Sequence, residues 1–260
     1  MNETQKTLAV ELGKQTIISL IIYALLFGVL FAVEAIWPEL KGTLLKWNDL
    51  AFVVGIPASI IGTAYVLTIK NPNNYLGFYF GIVMSLLLAV QFLLQAQYEF
   101  VGLYATVFVF FMVRSIVTWR RASLHPDPDA GPLAPSFVSH KYFWINLCLF
   151  LLVGLADYAF ATYMAGDGWE DNIFVKMAGA SLLSSSIFAN FWLIYKSNDA
   201  WIFWVIYSLS GMVLFALIGN IFSFVLFTMF LIINGNAQVA WLKMTEDEHR
   251  GWTTNLPKPK

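Results

Sequence analysis

Trp201 and Trp204 stand three residues apart at the head of an apolar run, directly after the polar break Lys196-Ser-Asn-Asp-Ala200 and a run ending Asn190-Phe-Trp-Leu-Ile-Tyr195. Paired indoles can bind a flat ring by stacking and attract a cationic one through their π faces. An interfacial tryptophan belt accounts for Trp201 equally well, but Trp204 lies one turn, roughly 4.5 Å, deeper. Asn190 precedes Lys196 by six residues, so the returning chain brings Trp204 back to a similar depth. There an amide either contacts a ligand or glues two helices together.

Other polar residues inside apolar runs carry the same two readings. Asn234 and Asn236 lie near the end of the last run, and Gln91 and Gln95 lie a turn apart on the third, with Tyr79 ahead of them and read as sharing their face. Asp157 is the most expensive of these residues, at about 2.5–3.5 kcal/mol for an acid at mid-membrane. It suits a cationic ligand, a pairing with Lys176, or a coupling proton.

Covalent and metal chemistry have no comparable candidates. His125, His140 and His249 fall at no metal-ligand spacing, and no H-E-x-x-H, P-loop or G-x-S-x-G motif occurs. The Ser184-Ser185-Ser186 run has no histidine base at its depth. No lysine precedes Lys243 in the last run to hold a retinal, and no ring of charges marks an ion channel. The residues point to binding without catalysis or cofactor.

The elements that position them are membrane helices. Of 260 residues 59% are apolar and 12% charged, and the mean hydropathy is +0.69. Runs of about 20 apolar residues without strand alternation predict an all-α integral membrane protein embedded in a lipid bilayer. The spacing predicts eight crossings, near 16–37, 50–69, 74–95, 100–119, 142–164, 172–195, 199–218 and 221–241. The first is too long for a signal peptide and ends without a cleavage pattern, which makes it a retained helix. The single Cys148 forms no disulfide framework. Scattered basic residues argue against nucleic acid. Lys6, Lys14, Lys70, Arg120, Arg121, Lys141, Lys196 and Lys243 all fall on one side of an alternating chain, which places both termini in the cytoplasm.

A repeat emerges once the runs are aligned. Pro57-Ala-Ser-Ile-Ile61 echoes Gly179-Ala-Ser-Leu-Leu183, Lys70-Asn-Pro-Asn-Asn-Tyr75 echoes Lys196-Ser-Asn-Asp-Ala-Trp201, and the units close on Trp119 and Trp241. Two three-helix units in the same orientation need one extra crossing between them. The expected organisation is a leading helix (1–47), a first repeat (48–121), a proline-rich loop with linker helix (122–165), a second repeat (166–242) and a tail (243–260). This 3+1+3 plan of parallel repeats is SWEET-like and places a substrate between the repeats.

Trp201-Ile-Phe-Trp204, with Asp199 and Asn190 before it and Phe215-Ala-Leu and the Asn-Gly ahead of Trp241 after it, resembles the C-terminal repeat of the PnuC vitamin transporters. The likeness spans about residues 50–241 and is most specific between 189 and 241. It implies that Trp201, Trp204 and Asn190 bind substrate. Ser208 stands where the family often has asparagine, Gly81 stands at its counterpart in the first repeat, and Arg114 lies near a third missing asparagine. These departures bear on the substrate more than on the fold. The resemblance implies uptake of nicotinamide riboside, or else of thiamine, riboflavin or a deoxynucleoside, by facilitated diffusion with trapping by phosphorylation. It also implies a homotrimer in a bacterial inner membrane. A SWEET-type sugar carrier and a non-transporting receptor or scaffold are the rival readings.

Overall fold

The structure is a computed structural model that describes residues 3–95, 98–124, 136, 140–163 and 172–252. Among these residues every regular element is a helix. The order is α1 (Glu3–Ile36), a 3-10 turn (Pro38–Leu40), α2 (Leu50–Ile69), α3 (Gly77–Leu94), α4 (Tyr98–Gly102), a π turn (Leu103–Phe108), α5 (Val109–Leu124), α6 (His140–Tyr163), α7 (Ile173–Ile194), α8 (Asp199–Leu217) and α9 (Ile221–Trp252). Among the described residues seven helices are long and apolar enough to cross a membrane, with α4, the π turn and α5 forming one of them. The eighth expected run is α6, whose apolar stretch Trp144–Phe160 is shorter. The proline-rich loop lies largely outside the described residues, and α9 continues to Trp252, past the boundary drawn at 242.

Helix ends are set by polar residues placed where unpaired backbone groups need them. The Asp49 carboxylate accepts from the N–H groups of Ala51 (2.9 Å) and Phe52 (3.4 Å) to start α2, and Asn172 accepts from Phe174 (2.9 Å) to start α7. Glu34 performs a related task in a loop, accepting from Gly42, Leu44 and Leu45 at 3.1–3.3 Å. Hydroxyls inside the spans donate to their own helix: Thr68 to Ala64, Ser85 to Gly81, and Ser184, Ser185 and Ser186 to carbonyls one turn back. The serine run is thus hydrogen-bonded along α7, not poised as nucleophiles.

The central helix is α7, with 61% of its apolar window buried against 22–44% for the other spans. It packs against α8, α6 and α5; on the far side α2 packs against α3 and α1, and α8 against α9. One end of the bundle is sealed by aromatic rings. Trp119, Trp201 and Trp241 are fully buried there, with Trp241 tilted on Trp119 (6.0 Å between centroids) and edge-on to Trp201 (5.4 Å). Trp119 donates its indole N–H to the carbonyl of Leu193 at the end of α7 (2.9 Å), and Trp241 donates to Lys70 at the end of α2 (2.7 Å). Trp119 on α5 therefore ties down the end of α7, and Trp241 on α9 the end of α2. Lys196, buried at the α7–α8 turn with φ +52°, lays its ammonium 4.9 Å from the Trp119 ring centre.

Candidate functional site

A cavity of about 510 Å³ enters the bundle from the end opposite the tryptophan seal. Thr43, Lys46, Asp49, Gln95 and Asn220 stand at its mouth. Its deep part is walled by Tyr65, Met112, Ser186, Asn190, Trp204 and Asn234, and none of the three sealing tryptophans lines it. Such a volume suits a small molecule of nucleoside size.

The two indoles that share one face of α8 are separated by depth. Trp204 is in the cavity wall, with Tyr207 standing edge-on to it at 5.2 Å and 90°. Trp201, a turn below, is wholly buried against Trp241 and belongs to the seal. The asparagines next to Trp204 have fixed orientations. The Asn190 amide nitrogen donates to the Ser186 carbonyl at 2.8 Å, which leaves its oxygen without a partner. The Asn234 nitrogen donates to Ser208 Oγ at 2.9 Å and to the Trp204 carbonyl at 3.3 Å, and its oxygen is free as well. Because carbonyls and the occupied serine oxygen can only accept here, neither amide can flip without losing these bonds. Ser208 donates to Trp204 (2.8 Å) and lies behind Asn234 instead of on the cavity surface.

The remaining sequence candidates scatter. Gln91 lines the cavity, seated in the notch left by Gly55, where a Cβ would meet its amide at 3.0–3.2 Å. Tyr79 is 46% exposed on the outer face of α3. At 3.6 residues per turn, its spacing from Gln91 leaves the two about a third of a turn apart, so they share no face. Asn236 is exposed, two residues beyond the inward Asn234. Asp157 is half-buried on α6, which packs on α7, and is not part of the cavity wall.

Sequence reading missed the tyrosines. Tyr65, Tyr104 and Tyr207 all line the cavity. Tyr104 belongs to the π turn Leu103–Phe108, which turns both Tyr104 and Phe108 inward, an irregularity that is often found at functional sites. Tyr207, one turn beyond Trp204, had a periodic signal in the sequence; Tyr104 had none.

The sequence model of the family described as Nicotinamide mononucleotide transporter matches residues 52–243. The chain belongs to that family. Its fold is similar to that in "Crystal structure of the Vitamin B3 transporter PnuC", at a TM-score of 0.57 and 15% identity over 95% of this chain and 93% of that one. At that identity the likeness is one of fold. No curated protein matches the chain. As a member of the nicotinamide mononucleotide transporter family, the protein is a multi-pass membrane transporter.

Proposed function

We propose that the protein takes up nicotinamide riboside, or a closely related vitamin or nucleoside, by alternating access around the Trp204 cavity. The observation that carries this reading is the polarity of the cavity floor. It offers one indole face and two fixed amide carbonyls, and among the described lining residues the charged ones, Lys46 and Asp49, are at the mouth. A pyridinium ring gains about 0.5–2 kcal/mol from an indole face. Its carboxamide and the ribose hydroxyls supply the donors that Asn190 and Asn234 lack. A phosphate would enter the same floor with no cation to meet it, at a penalty of several kcal/mol. The dephosphorylated nucleoside is therefore favoured over the nucleotide in the family's description.

The same inventory supports facilitated diffusion, because no carboxylate or histidine among the described lining residues could carry a coupling proton at depth. Phosphorylation inside the cell then traps the substrate. The basic residues cluster toward the tryptophan seal, which supports a cytoplasmic sealed end, cytoplasmic termini and an outward-facing cavity. A bacterial inner membrane and a homotrimer complete the proposal by family resemblance. Thermal-shift and calorimetric titration of the purified protein with nicotinamide riboside, nicotinamide mononucleotide, thiamine, riboflavin and deoxynucleosides tests it. Nicotinamide riboside is expected to bind best. Tighter binding of the mononucleotide, or of none of them, would reject the reading.

A further inference from the structure

Four residues of the cavity wall each keep one buried polar atom without a partner: Trp204 Nε1, Asn190 Oδ1, Asn234 Oδ1 and Tyr65 Oη. The first three come from the second unit, on α8, α7 and α9. Tyr65 comes from α2 in the first. Its side chain is 0% exposed, and a buried hydroxyl that has given up water without gaining a partner destabilises the fold.

Of the hydroxyls on the same wall and helix, Ser186 donates to Leu183 and Thr63 pairs with Tyr23. Tyr65 is also held in place. Its ring packs on Phe78 (5.9 Å), which stands edge-on to Trp119 (4.7 Å), so the phenol is braced against the sealed end of the bundle. Gly81 provides the room, since a Cβ there would lie 3.3 Å from the Tyr65 ring and 2.6 Å from the Met112 sulfur.

We infer that the Tyr65 hydroxyl contacts the substrate directly, as the group through which the first unit holds a hydroxyl or amide of a ligand whose ring and other polar groups are held by the second. Tyr65 thereby becomes a specificity-determining residue, and the bound ligand bridges the two units. This inference rests on the proposed vitamin or nucleoside substrate.

The test is Tyr65→Phe, which removes one oxygen and leaves the ring packing intact, studied in purified full-length protein with nicotinamide riboside. The expected result is an affinity about tenfold weaker, equivalent to ~1.4 kcal/mol. The ligand-free protein should melt no lower than wild type, because an unpaired buried hydroxyl has been removed. A structural role predicts the opposite pattern, with a lowered melting point and unchanged affinity, and that result would overturn the inference. Titrating both proteins with analogues lacking single ribose hydroxyls or the carboxamide locates the partner group. The Tyr65→Phe penalty should vanish for one analogue, whereas an equal penalty for all would mean that the hydroxyl only shapes the cavity. Absence of wild-type binding to any of these ligands would instead reject the substrate proposal, a result distinct from a failure at Tyr65.

Discussion

Replacing Gly211 with alanine should close the cavity from the side. Gly211 is buried on α8, and a Cβ built there would lie 1.9 Å from Cδ1 and 2.1 Å from Cε1 of Phe227 on α9. The ring must retreat by roughly 1.5 Å to reach ordinary van der Waals contact. It already packs on Tyr207 (5.2 Å), Phe215 (5.2 Å) and Phe230 (5.9 Å), so the open direction is the cavity that it lines. Overpacking of this kind costs about 1–3 kcal/mol, and the higher helix propensity of alanine returns about 1 kcal/mol. A clash this short belongs at the upper end, which leaves a net loss of about 2 kcal/mol and a Tm lower by roughly 4–8 °C. Scanning fluorimetry and calorimetry on the same preparation should give the lower Tm together with weakened ligand binding. Adding Phe227→Leu should recover part of both losses, because the two sites share one space. A Gly211→Ala protein with wild-type Tm and affinity, or additive effects in the double variant, would refute the reasoning.

Trp204→Ala is expected to abolish measurable binding in calorimetry while size-exclusion profiles stay unchanged; retained affinity for every vitamin tested would remove Trp204 from the site. Trp119→Phe and Trp241→Phe each strip the indole donor from a helix-end carbonyl and should each lower stability by about 1–3 kcal/mol in thermal melts, most of it through the orphaned carbonyl. Asp49→Ala removes the cap of α2 and should lower stability by about 1 kcal/mol, with Asp49→Asn restoring most of it, read by the same melts.

The membrane character of the fold was legible because lipid offers backbone groups no partner, so each span must be a helix and must be long. Seven of the expected runs meet that length directly. Trp119 and Trp241, the residues on which the sequence echoes end, hydrogen-bond to the ends of α7 and α2. Side-chain direction was less legible. An apolar helix in lipid has no polar outer face, so hydrophobic periodicity does not mark which side of α3 turns inward. The surface residue Tyr79 was therefore grouped with Gln91, which does line the cavity.

The sequence by itself determined an all-helical membrane protein, the approximate spans, the charge asymmetry of its loops, and the similar depth of Asn190 and Trp204. These follow from helix length and rise, which are fixed by the chain alone. Only the tertiary structure decided that Trp204 faces the cavity while Trp201 is packed edge-on into the seal, since residues three apart share a face and differ only in what covers them. It also decided the role of the tyrosines. Tyr104 reaches the wall through a π turn, and Tyr65 keeps a buried hydroxyl without a partner. Both are properties of packing between distant segments, and local sequence pattern carries no record of them.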